Sequence, residues 1–145
     1  MHRKLTWLIL GSFFFIIADQ FLKFLSFRYF QEGIFILGKF FALDFYRNYG
    51  VAFGLKMPAF LFYILIAFII YFIFKKFKNE IKTKNFYIIV ALSFIIIGAI
   101  SNLGDRIFRG YVVDYLFIYP MSYFNLADAA ILAGVVMIGF KELKH

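Results

Sequence analysis

Two aspartates, Asp114 and Asp128, sit in an otherwise apolar and aromatic stretch, RGYVVDYLFIYPMSYFNLADAAI, from Arg109 to Ile131. The chain has only eight carboxylate side chains, and an unpaired charge in such surroundings is costly. Each has an ordinary explanation. NLAD, Asn125 to Asp128, reads as a helix N-cap with an acidic third residue, and Asp114 reads as a solvated loop residue. Yet VVDYL is no solvent-facing pattern, and ionisable groups at membrane depth are candidates for function. Two facing carboxylates can hold one proton between them near neutrality, because like charges raise one pKa. The ionised partner takes a proton from water; the protonated one donates to a carbonyl oxygen, then to a leaving amine. That is peptide hydrolysis by an acid pair. The same pair suits proton relay, so these residues alone leave both chemistries open.

The rest of the composition narrows the field. There is no cysteine, hence no thiol nucleophile, disulfide or cysteine metal site. The two histidines, His2 and His145, lie at the termini, so no metal and no cofactor are expected. Of the 145 residues, 64% are hydrophobic, against about half in a soluble domain, and the mean hydropathy is +0.86. This is the composition of an integral membrane protein, read here as one domain over 1–145. The net charge of +8 does not point to nucleic acid. The basic residues cluster between apolar blocks, as topology signals and contacts to membrane lipids.

Four apolar blocks must position the acids. An all-α membrane protein is expected, with four transmembrane helices at about 5–27, 57–74, 85–104 and 125–140, each near the roughly 20 residues that span a bilayer. The first block is interrupted by Asp19 and Lys23, and it is too long, with no small-residue cleavage pattern, to read as a signal peptide. KKFKNEIKTKN carries five lysines and one glutamate; with Arg3, Lys4, Lys141 and Lys144 it marks the cytoplasmic side, where both termini are expected. The outer segments, about 28–56 and 105–124, contain FFALDFYR, VAFGL and GYVVDYLFIY, which have strand composition. A small extracytoplasmic sheet is expected there. Topology alone brings Asp114 and Asp128 to the same outer interface.

Five motifs occur in order: DQFLK (Asp19 to Lys23), NYGVAF (Asn48 to Phe53), SNLGDR (Ser101 to Arg106), VVDY (Val112 to Tyr115) and FNLAD (Phe124 to Asp128). Together they resemble lipoprotein signal peptidase, the signal peptidase II family of bacteria. Its motifs are D-x-x-x-K in the first helix, N-x-G in the first outer loop, G-N-x-x-D-R, and two separate aspartate motifs. None is specific alone; five in order on a four-helix plan are. Ser101 stands where the family usually has glycine. Phe117 stands where some members carry a further acid, so an acid there is not required for the proposed chemistry.

The resemblance implies a membrane aspartyl endopeptidase, active at the extracytoplasmic face of the cell membrane. Its substrates would be prolipoproteins already diacylglyceryl-modified on a cysteine, cut just before that cysteine. It implies Asp114 and Asp128 as the catalytic pair, and globomycin-type inhibitors as ligands; a monomer is expected. Asn102 and Arg106 are i and i+4 and share a helix face if the third helix continues that far. Asn102 is expected to hydrogen-bond substrate backbone, and Arg106 to do the same or to meet lipid phosphate. Asn48 and Gly50 would let the outer loop approach the substrate, and Asn125 would orient the pair while capping its helix. Asp19 and Lys23 form a structural clamp near the site, with Asp105 beside it. Asp44, outside these motifs, is expected to be dispensable. A G-x-G-D protease is not supported, since the nearest match is NLGD. A proton-coupled transporter would want an internal repeat and a midplane acid, and neither is evident. A reporter fused after Lys78 is expected to read cytoplasmic, and one near Gly33 external; an external signal at Lys78 would overturn this topology.

Overall fold

A backbone crossing lipid must satisfy its own hydrogen bonds, so long apolar blocks become helices. The computed structural model describes residues 2–50, 59–120 and 122–143. Its helices are α1 (His2–Tyr29), α2 (Ala59–Thr83), α3 (Phe86–Arg109) and α4 (Leu126–Glu142). Between them lie β1 (Ile34–Phe35), β2 (Phe41–Asn48), β3 (Val112–Ile118) and β4 (Ser122–Phe124). The strands form one antiparallel sheet in the order β1-β2-β3-β4. The protein is thus mostly helical with a small antiparallel sheet, and α1 and α3 are each long and apolar enough to cross a bilayer.

Several boundaries differ from the sequence expectation. α2 does not stop at Phe74 but continues through the lysine block to Thr83, because lysine and glutamate are good helix formers; it closes at Lys84, whose φ is +59°. α3 continues past Gly104 to Arg109, so Asp105 and Arg106 are helical rather than in the outer segment. Arg106 and Arg109 suit a helix C-terminus. Gly110 then takes the left-handed conformation, φ +79°, and its N–H donates to the Arg106 carbonyl. That turn sends the chain straight into β3. VAFGL, expected as a strand, and the expected helix start at Met57 lie outside the described residues.

The core lies where α3 meets α4. Ala91, Gly98, Ala127, Ala130 and Gly134 are all buried, and small residues let helix backbones approach closely in lipid. A Cβ on Gly98 would lie 2.3 Å from the Ala127 carbonyl oxygen, and one on Gly134 would lie 2.4 Å from that of Ala91. α1 is held differently. Its buried residues are Asp19, Lys23 and Ser26, all in its second half. Around its other half two apolar cavities, about 260 and 240 Å³, flank Ser12 and Ser93. Gly98→Ala and Gly134→Ala are each expected to cost about 1–3 kcal/mol through overpacking, read as a lowered melting temperature in detergent. Gly139→Ala, with open space around it, should leave the melting temperature unchanged or slightly raised. Equal melting of all three variants would refute the close crossing.

Candidate active site

β3 and the first turn of α4 bring the two aspartates into one network, and Asn125 is its centre. The Asn125 side-chain amide donates to Asp114 Oδ1 at 2.7 Å, while its backbone N–H donates to Asp128 Oδ2 at 3.2 Å. Its Oδ1 accepts the Asp128 backbone N–H at 2.9 Å, which completes a capping box for α4. The cap residue of NLAD thus also contacts Asp114. Asp114 is fully buried, and Asp128 is half-buried.

Each acid has a second amide. Asn48 Nδ2 donates to Asp114 Oδ2 at 2.9 Å, and Asn102 Nδ2 to Asp128 Oδ1 at 2.7 Å. Burial pushes the Asp114 carboxyl up from 3.8 to about 6, with the Asp128 charge adding and the two amides and Lys23 opposing. Its proton is therefore available near neutrality. Asn102 is committed at both ends, because its Oδ1 accepts from Lys23 Nζ at 3.0 Å and from Asn125 Nδ2 at 3.2 Å. Arg106 Nη2 donates to the Gly50 carbonyl at 2.9 Å, and the Gly50 N–H donates to Asn48 Oδ1 at 3.0 Å. Asn48, Gly50 and Arg106 thus form one connected edge of the site.

Asp19, Lys23 and Asp105 make a buried ionic cluster directly behind Asn102. Lys23 Nζ lies 2.7 Å from Asp19 Oδ2 and 2.9 Å from Asp105 Oδ2. Sequence reading missed four partners of this cluster. Ser101 Oγ donates to Asp19 at 2.6 Å, so the serine at the usual glycine position is used as a donor. Gln20 donates to Ser101 and Asp105. Arg109 pairs with Asp105; its i,i+4 spacing was the available signal. The Tyr115 hydroxyl donates to Asp19 Oδ1 at 3.1 Å and accepts the Leu126 N–H at 3.0 Å. Burial and the Asp19 charge push the Tyr115 phenol far up, so it stays a donor. Asp44 is also engaged: it sits in the β2 irregularity between Leu43 and Tyr46 and accepts from the Phe45 N–H and the Tyr123 hydroxyl.

The fold is a set of long helices, two of them apolar enough to cross a bilayer, with two amide-clamped acids beside a small sheet. Residues 12–144 match the family described as Signal peptidase (SPase) II. The chain is 34% identical to a lipoprotein signal peptidase of Thermodesulfovibrio yellowstonii, over 99% of both chains. It is 38% identical to one of Caldicellulosiruptor bescii, over 96% of this chain and 91% of that one. Two solved bacterial membrane enzyme structures, obtained by the in meso method, share its fold at a TM-score of 0.80 and 26% identity. They cover 96% of this chain, which spans 88% and 94% of theirs. The chain belongs to the signal peptidase II family, and it is accordingly a bacterial membrane enzyme.

The raised Asp114 value has a stability consequence. The proton is held more tightly in the folded state, so the associated stability is fully present below 3.8 and is lost as pH rises through about 6. Asn mimics the protonated form. The melting temperature of Asp114→Asn relative to the parent is expected to rise between those pH values and then level off. A pH-independent difference would rule out the raised value.

Proposed function

We propose that this chain removes the signal peptide from diacylglyceryl-modified prolipoproteins, cutting just before the lipidated cysteine, and that Asp114 and Asp128 are its catalytic residues. The observation that carries the assignment is the double contact of Asn125, one bond to each carboxylate. A water between the acids loses a proton to one of them and attacks the scissile carbonyl. The other donates its proton to the carbonyl oxygen, and the tetrahedral intermediate collapses as the leaving amine is protonated. Asn125, Asn48 and Asn102 keep both carboxyls aimed during these transfers. Arg106, through Gly50, fixes the outer segment beside the pair, where an extended substrate would lie.

We read the protein as one domain with four spans and cytoplasmic termini, acting as a monomer, with the pair at the extracytoplasmic interface. The lysine-rich end of α2 and the connection from α3 to the sheet support opposite sides for lysines and site. In that placement the diacylglyceryl group stays in the outer leaflet while the peptide reaches the acids. Globomycin-type inhibitors would compete for the same place.

Cleavage of a diacylated precursor by purified protein tests this reading. Asp114→Asn and Asp128→Asn should each lower turnover by about 10²–10⁴-fold with folding retained. The double variant should be little worse, because groups acting as a unit are non-additive. Turnover should follow a bell-shaped pH curve belonging to the pair jointly. Glu32→Gln, at an exposed acid, should stay active. Near-normal turnover by either single variant would falsify the acid-pair mechanism.

A further inference from the structure

Val113 neighbours Asp114 on a pleated strand and so faces the other side of the sheet. A crevice of about 250 Å³ opens there, between α1 and the sheet, walled by Phe24, Phe27, Phe45 and Tyr111, with Lys23, Val113 and Arg109 also lining it. Two more arginines stand on these walls. The Arg47 guanidinium lies 5.5 Å from the Phe45 ring centre and 5.4 Å from that of Tyr111. The Arg28 guanidinium lies 5.8 Å from the centre of Phe24.

The charge around the crevice is unbalanced. Lys23 and Arg109 are offset by Asp19 and Asp105. Arg28 and Arg47 are exposed, and among the described residues neither has a carboxylate partner. Two positive charges therefore remain beside an aromatic slot. An arginine stacked on a ring keeps its edge N–H groups free for phosphate oxygens, and its stacking lowers the entropy lost on binding. Below the slot, α1 continues as an apolar helix with Phe21 and Phe24 exposed, a surface along which an acyl chain can run.

We propose that this crevice binds one anionic phospholipid of the outer leaflet, with its phosphate between Arg28 and Arg47 and the start of an acyl chain among Phe24, Phe27 and Phe45. The site is separate from the acid pair, lying on the opposite face of β3. It rests on the membrane reading of α1 and on the proposed orientation, not on the peptidase assignment. A zwitterionic headgroup fits less well, because it brings its own cation toward the two arginines.

Native mass spectrometry of the full chain in detergent, titrated with phosphatidylglycerol or phosphatidylcholine, tests the site. One phosphatidylglycerol should stay bound at activation energies that strip phosphatidylcholine. Arg28→Gln with Arg47→Gln should weaken that retention about tenfold or more, at about 1 kcal/mol per arginine, while cleavage of diacylated precursor in detergent is unchanged. Arg47→Lys, which keeps the charge but loses the fork and the stacking, should fall between them. Soluble glycerol phosphate should not displace the lipid; displacement would mean a headgroup-only anion site. Equal retention of the two lipids by the parent, or undiminished phosphatidylglycerol retention by the double variant, would overturn the proposal. The parent comparison stands even if the double variant fails to fold.

Discussion

One buried ammonium group organises the sheet-bearing end of this molecule. Lys23 has three N–H donors, and three acceptors surround them: Asp19, Asp105 and Asn102. A buried cation is tolerable only with such full satisfaction, and removing one partner of a buried pair costs about 3–5 kcal/mol. Asp19 and Lys23 belong to α1, Asn102 and Asp105 to α3. The ion cluster is therefore what seats α1, whose buried residues are otherwise limited to Ser26. The satisfaction extends outward: among the described residues no buried side-chain nitrogen or oxygen lacks a partner.

From that hub the network reaches the elements bearing the acids by three routes. The first runs through Asn102, which accepts from Lys23 and donates to Asp128; an amide so polarised transmits the positive charge without bringing the cation into the site. The second runs through Asp19 and the Tyr115 hydroxyl to the first N–H of α4. Asp105 adds a third tie, accepting the Val113 N–H next to Asp114. Strand and helix that carry the two acids are thus both fastened to one charged cluster. The side chains that seat α1 are the same ones that hold the strand and helix bearing the two acids.

Much of this was legible in the sequence, and the pattern of what was not has physical causes. Asp114 and Asp128 stood out because charge in apolar surroundings is expensive. Asp19 with Lys23, and Asn102 with Arg106, stood out because four-residue spacing puts side chains on one helix face. Nothing in the sequence signalled that both ends of the Asn102 amide would also be engaged within the protein, by Lys23, Asn125 and Asp128. Tyr115 gave no signal, since a tyrosine in a strand satisfies composition alone, and its hydroxyl partners come from α1 and α4. Ser101 read as a small packing residue because its hydroxyl has a role only once Asp19 and Gln20 are placed against it. Asp44 read as a bystander, yet its carboxylate joins β2 to the β4 residue Tyr123. β1 and β4, two and three residues long, are too short to show a period. Helix ends were misread where lysine and arginine, taken as loop markers, proved to be good final turns.

The α3–α4 crossing carries a consequence for life in different bilayers. At Gly98 and Gly134 the two helices meet with backbone against side chain and carbonyl, leaving no intervening atoms that could yield. Lipid bilayers differ in thickness, and spanning helices respond by tilting or shifting. A crossing packed this closely resists such adjustment. The compliance lies instead in the first half of α1, where cavities border Ser12 and Ser93 and few side chains are enclosed. A change in thickness would therefore meet its least resistance at that loosely held end rather than at the crossing from which α4 presents Asp128.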